Sequence, residues 1–196
     1  MCCLFLAASS TVAIAQTNVV DLVNPIIGTN GMGHTFPGAC VPFGLVQLSP
    51  DTDTIPHNVD GKYQPRSYEY CAGYQHKDSS IVGFSHTHFS GTGHSDLGDI
   101  LIMPTTGTLK LNPGTATNPD GGYRSRFSHD TEISRPGYYE VMLADYGVKA
   151  QLTTTQRAGI HKYTYPTNSE NQRIILDMIH GIYNYDGKVL WTNIPV

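Results

Sequence analysis

Three of the nine histidines fall in one short stretch, GFSHTHFSGTGHSDLGD, which runs from Gly83 to Asp99. Neutral imidazoles and a carboxylate suit zinc, so one hypothesis is a small metalloenzyme using His86, His88, His94 and Asp96. Histidine, aspartate, serine and threonine also offer mixed donors and acceptors to sugar hydroxyls. A third, structural hypothesis has the imidazoles bonded to nearby carbonyls and Asp96 capping a turn. The residue types alone do not decide among these three hypotheses.

The histidine stretch continues a segment of alternating residues, 80–88, that predicts a β-strand. Alternate side chains of a strand share a face, so Val82, Phe84, His86 and His88 are expected on one side of the sheet. The first two are core residue types, and the histidines would follow them towards the strand end. The glycine-rich segment 90–98 then forms a loop whose backbone can approach a ligand closely. The pattern favours a binding site at this edge.

The rest of the chain favours an all-β fold. Its 20 glycines and 12 prolines interrupt any long helix, and the apolar residues show no helical period. Turn residues are predicted at 49–52, and residues 53–66 are predicted as a loop, while 145–147 and 186–187 are typical of hairpin connections. Such spacing predicts an antiparallel β-sandwich. The predicted strands are 45–48, 80–88, 100–103, 108–111, 138–145, 148–155, 161–165, 173–179 and 188–192.

Composition and the N-terminus narrow the class of protein. The net charge of −4 and the absence of a basic run argue against nucleic acid as a partner. Residues 1–15 are apolar and end in Ala13-Ile14-Ala15, which predicts a secretory signal and a mature chain from Gln16. That segment is too short to span a bilayer; the alternative is a buried N-terminal segment. Export would allow Cys40 and Cys71 to pair, although two separate buried thiols fit equally well.

Several long motifs resemble glycoside hydrolase family 92. They are VNPIIGT from Val23, GHTFPGA from Gly33, VPFGLVQLSPDT from Val41, the pair Gly73-Tyr74, and SSIVGFSHTHFSGTG from Ser79, followed by Asp96 and the segment Gly98-Asp99-Ile100. The resemblance runs from about Val20 to the end of the chain.

The resemblance implies an exported, calcium-dependent, inverting α-mannosidase acting on the mannosides of N-glycans. In this family an N-terminal β-sandwich and a larger α/α-barrel form the active site together. Residues 16–196 resemble the sandwich alone, C-terminally incomplete, with the barrel missing. Mannose-containing glycans are the expected partners, and no membrane span is expected. The catalytic acid and base and most calcium ligands are expected in the barrel, so no catalytic or metal residue is assigned to this chain.

The resemblance also suggests residues that contact the sugar. His86, Thr87 and His88 are expected on the surface that closes over the pocket, and His34, Thr35 and Phe36 in a second piece of it. Tyr70 and Tyr74 are candidates for stacking on a pyranose ring, with a core role as the alternative. Asp96 and Asp99 could be taken for an acid–base pair, but the interpretation we favour is turn capping. A stand-alone carbohydrate-binding module and the metalloenzyme are the alternative functions.

Overall fold

The computed structural model describes residues 18–55, 58–91 and 97–181. The signal segment 1–15, the hairpin expected at 186–192, and the residues His94 and Asp96 lie outside the described residues. The described part is built of short strands, and its one α-helix, α1 (Arg66–Glu69), has four residues. No helix among the described residues has the length and apolar character needed to cross a membrane.

The described part of the chain has thirteen strands. Those at 39–40, 58–59, 62–63, 125–126 and 133–135 were not predicted, and the segment 80–88 holds two strands where one was expected. The thirteen strands are β1 Ala39–Cys40, β2 Gln47–Asp51, β3 Asn58–Val59, β4 Lys62–Tyr63, β5 Ser80–Ile81, β6 Gly83–Ser85, β7 Leu101–Thr105, β8 Ser125–Arg126, β9 Ile133–Arg135, β10 Tyr138–Leu143, β11 Val148–Thr154, β12 Gly159–Thr164 and β13 Arg173–Asp177.

Two antiparallel sheets form the sandwich that the sequence predicts. One has the strand order β1-β2-β6-β7-β13 and the other the order β12-β11-β10-β9, while β3-β4 and β5-β8 form small separate ribbons. The hairpin connection at 145–147 is confirmed, with Leu143 of β10 opposite Val148 of β11. Gly147 has φ 62°, which glycine adopts without steric cost in such a turn.

The core lies between the two sheets. In β10 the residues Tyr139, Val141 and Leu143 are buried, and the residues between them are less buried. Such alternation is expected where only one face of a sheet is covered. From the other sheet, the ring of Phe84 lies 6.5 Å from that of Tyr139 and 6.4 Å from that of Tyr163. The inward face of β6 therefore points at β10 and β12.

Sequence predictions for three segments are wrong at the level of elements. The loop expected at 53–66 contains the paired strands β3 and β4. The turn expected at 49–52 is instead part of β2, which continues to Asp51 and pairs with β6. Pro50 is tolerated there because β1 pairs with β2 only at Gln47 and Leu48, so that this side of the strand needs no N–H from Pro50. The strand expected at 108–111 is absent: no described strand pairs with it, and Leu109 and Leu111 are exposed.

The two cysteines of the described part are both free. Cys71 is buried, as one alternative from the sequence has it, but Cys40 is exposed. Neither a disulfide between them nor a pair of buried thiols describes the structure.

A buried carboxylate joins the ends of three strands. Asp51, at the end of β2, is fully buried. Its Oδ1 lies 2.8 Å from Nε2 of His88, which follows β6, and its Oδ2 lies 2.7 Å from Nε2 of His180, which follows β13. Burial raises the pKa of Asp51, but the charge of His88 and the hydrogen bonds from both histidines outweigh it, so the pKa lies well below its usual range. The carboxylate is therefore ionised and paired in the folded state.

Gly73 makes room for this carboxylate. A Cβ at that position would lie 2.1 Å from Oδ1 of Asp51, and the φ of +77° also favours glycine. A backbone hydrogen bond also joins the two segments: the amide of Thr52 donates to the carbonyl of Gly73 over 2.8 Å.

Asp51→Asn should lower the free energy of unfolding by about 3–5 kcal/mol, because an amide leaves the two buried imidazoles without their shared anion. Urea unfolding at pH 7 measures the change. Asp130→Asn, at an exposed aspartate, is the matched control and should stay within about 0.5 kcal/mol of wild type. Equal stability of both variants would show that Asp51 does not hold the strand ends together.

Candidate functional site

The structure brings together the two segments that the sequence analysis singled out. The amide of Gly91 donates to the carbonyl of His34 over 2.6 Å. The ring of Phe36 lies 5.3 Å from the ring of His88. The segment 33–36 thus lies against the segment that follows β6.

His88 does not share a face with His86, as the alternation had suggested. The strand β6 ends at Ser85, and Nε2 of His88 lies 3.1 Å from Oγ of Ser85, which points away from Phe84. His86 stays on the Phe84 side, because its ring contacts His161 of β12. The strand period no longer applies once the strand has ended.

The buried position of His88 gives it a structural role in the described part of the chain. Its Nδ1 donates to the carbonyl of Gln47 over 2.8 Å. Ser85 and Asp51 both contact the other nitrogen, Nε2. A nucleophilic triad needs the serine and the carboxylate on opposite ring nitrogens, so this arrangement is not one.

His86 belongs to a chain of neutral hydrogen bonds between the two sheets. Its Nδ1 donates to the carbonyl of Ile100 over 2.7 Å, so Nε2 of the neutral ring must accept. Nε2 of His161 lies 3.1 Å away and is the donor. Nδ1 of His161 then accepts from the hydroxyl of Tyr163 over 2.7 Å. Each imidazole is therefore held in one tautomer.

Protonation of these two imidazoles is disfavoured. Burial lowers the pKa of His161 to about 4, and the neighbouring His86 adds to the effect. Burial also lowers the pKa of His86, partly offset by its bond to the Ile100 carbonyl. The pair is neutral at pH 7 and acts as a polar contact rather than as a charge.

Thr87 organises the loop that follows β6. Its hydroxyl donates to Oδ2 of Asp99 over 2.8 Å and accepts from the amides of Gly98 and Asp99. Asp99 therefore orders this loop, as the sequence analysis favoured over an acid–base role. Asp96 lies outside the described residues.

Thr87 also lines an open cleft of ≈ 750 Å³, which we call the Thr87 cleft. Two aromatic side chains at its edge are strongly exposed, Phe43 at 105% and Phe89 at 57%. Polar groups stand beside them, among them the exposed Arg157. The lining residues are Phe43, Gly44, Leu45, Gln47, Thr87, Phe89, Leu97, Gln156 and Arg157.

His34 and Thr35 occupy a loop beside α1. Oγ1 of Thr35 donates to the carbonyl of Ile27 over 3.0 Å. His34 has φ 49° and is buried, with its ring packed edge-on against the half-exposed ring of Tyr68 at 4.6 Å. Its Nε2 has no hydrogen-bond partner among the described residues. Buried imidazole nitrogens are normally paired, so this atom is available to a group outside the described part.

Tyr70 and Tyr74 are in the interior, at 2% and 1% exposure. The hydroxyl of Tyr70 donates to Asp78, and that of Tyr74 to Glu132. Neither ring offers an open face for a sugar, so the core alternative fits their positions better than stacking does.

The histidine-cluster metalloenzyme has little support in this geometry. His86 and His88 point to different sides of the sheet, and His94 lies outside the described residues. The one group of potential metal ligands found among the described residues is His76, His129 and Glu132. Ca²⁺ takes six to eight oxygen ligands, so two imidazoles and one carboxylate do not fit calcium.

Sequence reasoning missed several residues of the site. Phe43 and Arg157 line the Thr87 cleft but lie far from the histidine stretch in the sequence. The exposure of the Phe43 ring, which would single it out, is visible only in the structure. His161 carries no local signal at all, because its partner His86 is 75 residues away in the chain.

The contribution of His161 to the stability of the chain should fall as the pH is lowered from about 6.5 to about 4. The pKa of His161 in the folded state is about 4, below the ordinary histidine value of about 6.5. In this pH window the unfolded chain therefore binds more protons. The loss from this group is on the order of 2 kcal/mol. Chemical unfolding at pH 7 and pH 4.5 measures it for wild type and His161→Gln.

The His161→Gln variant should show a shallower pH dependence, because it lacks the titrating group. Lys162→Gln, on the same strand, is the control and should keep the wild-type dependence. Parallel profiles for all three proteins would contradict the assignment.

Comparison with known proteins shows which family and which solved structures this chain resembles. Residues 22–195 match the model of the glycosyl hydrolase family 92 N-terminal domain. A family 92 α-mannosidase from Bacteroides thetaiotaomicron, solved with mannoimidazole, is 48% identical, with a TM-score of 0.76 over 84% of this chain and 20% of that one. An inverting mannosidase of the same family and organism is 27% identical, with a TM-score of 0.63 over 84% and 20%.

A curated relative gives the same picture at lower identity. A protein of Arthroderma benhamiae described as an uncharacterized secreted glycosidase is 29% identical over 170 residues, which are 82% of this chain and 19% of the relative. The chain thus spans about a fifth of the length of the proteins it matches. Because the family model matches most of the chain, this protein belongs to glycoside hydrolase family 92, of which it carries the N-terminal domain.

Proposed function

We propose that this chain forms the sandwich side of the sugar pocket in an exported, calcium-dependent, inverting α-mannosidase that acts on N-glycan mannosides. The observation that carries the proposal is the 48% identity and TM-score of 0.76 to an α-mannosidase solved with mannoimidazole. Export is supported by the secreted relative and by the signal pattern of residues 1–15. The α/α-barrel would supply the catalytic acid and base and most of the calcium ligands.

The Thr87 cleft is the part of the surface that suits a sugar. The exposed rings of Phe43 and Phe89 can cover the apolar face of a pyranose, and the exposed Arg157 and Gln156 can bond its hydroxyls. Thr87 orients the loop at the base of the cleft through Asp99. A ring-and-amide lining of this kind binds and positions a glycan but does not cleave it.

The described carboxylates near the histidine stretch support this division of roles. Asp51 is buried and bonded to two imidazoles, and Asp99 is bonded to Thr87. An inverting glycosidase needs an acid and a base about 6.5–9.5 Å apart with a water between them. Neither aspartate is free to take such a part, which favours an acid and base from outside this chain.

A stand-alone carbohydrate-binding module is the second candidate. In its favour, the Thr87 cleft with its two exposed aromatic rings lies wholly within residues 22–195, the part that matches the N-terminal domain. A chimaera in which the chain replaces the matching N-terminal segment of the Bacteroides α-mannosidase separates the two functions, because only a pocket-forming domain restores turnover.

The chain alone should not hydrolyse α-mannosides. General acid and base assistance is worth about 10²–10⁴-fold for each group, and both groups are expected in the barrel. The assay is release of mannose from α-linked mannobiose with added calcium, with the Bacteroides α-mannosidase as positive control. Turnover comparable to that enzyme would overturn the proposed division of roles.

In the active chimaera, Phe89→Ala and Arg157→Ala should each lower kcat/KM at least tenfold, or about 1.4 kcal/mol of transition-state stabilisation. Both side chains are exposed, so thermal unfolding should change little. Leu109→Ala, an exposed apolar residue outside the cleft, is the control and should keep wild-type kinetics. Unchanged kcat/KM in both cleft variants would rule the cleft out as the sugar surface.

A further inference from the structure

A second cluster of ligand-type side chains lies outside the Thr87 cleft. His76 precedes β5, His129 begins the 3-10 turn His129–Thr131, and Glu132 follows that turn. One ligand atom from each residue lies within 4.8 Å of the other two. Residues 53 and 56 positions apart in the chain are thus brought to one point.

The carboxylate of Glu132 is held in a fixed orientation. Its side chain is 3% exposed. The hydroxyl of Tyr74 donates to it at 2.9 and 3.0 Å, and that of Tyr139 at 2.6 Å. Burial raises the pKa of both phenols, and the carboxylate raises it further, so both hydroxyls keep their protons. Hydrogen bonds from outer groups to a ligating carboxylate are the usual support of a metal site.

The two imidazoles are aligned beside that carboxylate. The rings of His76 and His129 lie 4.0 Å apart with an angle of 32° between their planes. Phe127 packs edge-on against His129 at 5.0 Å, which limits the rotation of that ring. Nδ1 of His129 lies 2.6 Å from Oε2 of Glu132.

We propose that His76, His129 and Glu132 bind a divalent transition-metal ion, zinc above all, with water in the fourth position. Two imidazole nitrogens and one carboxylate oxygen are a common three-residue zinc set. Tetrahedral zinc places its ligand atoms roughly 3.3–3.5 Å apart, given bond lengths near 2.0–2.2 Å. The three ligand atoms already lie within 4.8 Å of one another, so modest side-chain adjustments would bring them to that spacing.

Such an ion would link the loop before β5 to the turn before β9. Besides the ligands themselves, the buried Tyr74 and Tyr139 connect the site to the core. The ion would therefore stabilise the domain rather than take part in cleavage. Its affinity should fall as the pH is lowered, because imidazoles bind a metal only in the neutral form.

The test is equilibrium dialysis of the full chain against Zn²⁺, with thermal unfolding measured in parallel. One zinc per chain and a higher unfolding temperature are expected, while Ca²⁺ and Mg²⁺ should leave the unfolding temperature unchanged. Co²⁺ should give the visible absorption of a tetrahedral site. No zinc uptake at micromolar concentration would overturn the proposal.

Variants of the ligands complete the test. His76→Gln and His129→Gln should each weaken zinc binding at least tenfold, and because neither side chain is fully buried, both should fold. His161→Gln removes a histidine outside the cluster and should bind zinc as wild type does. Equal zinc affinity in all three would overturn the proposal. The experiment uses no mannoside, so its failure would leave the proposed mannosidase role untouched.

Discussion

The two histidine contacts of the buried Asp51 are the interaction on which the arrangement of the five-stranded sheet depends. A carboxylate without solvent exposure is stable only when it is paired and hydrogen-bonded, and here two imidazoles bond it from the ends of two other strands. The requirement extends to Gly73, which leaves the space that the carboxylate occupies. The position of His88 follows from it, and with His88 the path of the loop that carries Thr87.

This constraint divides the histidine stretch by role. His88 lies in the interior and bonds Asp51. His86 forms the contact between the sheets. Thr87 orders the loop beside the open cleft. Three consecutive residues therefore serve the core, the sheet-to-sheet contact and the surface. Substitutions in such a motif should be separated by stability measurements before any kinetic effect is assigned to sugar binding.

The fold class and most strands of the second half could be predicted from the sequence, because β10, β11 and their hairpin follow local alternation and turn chemistry. The extension of β2 through Pro50 could not, since it depends on where β1 stops pairing. The resemblance indicated the segments at 34–36 and 86–88, which do lie together. The roles of Asp51, His161 and Arg157 could not be predicted, because each contacts residues that are distant in the sequence, and no local pattern indicates such contacts.

The hydrogen-bond chain from Tyr163 through His161 and His86 to the Ile100 carbonyl runs in one direction only. Its first link is a hydroxyl proton and its last a carbonyl oxygen, so reversing one ring would set two donors or two acceptors against each other. If β12 slipped by one residue, Lys162 or Ile160 would stand in place of His161, and the chain would be broken. The hydrogen-bond chain therefore fixes the register of β12 against the segment that follows β6. An apolar contact of the same size has no direction and could not do so.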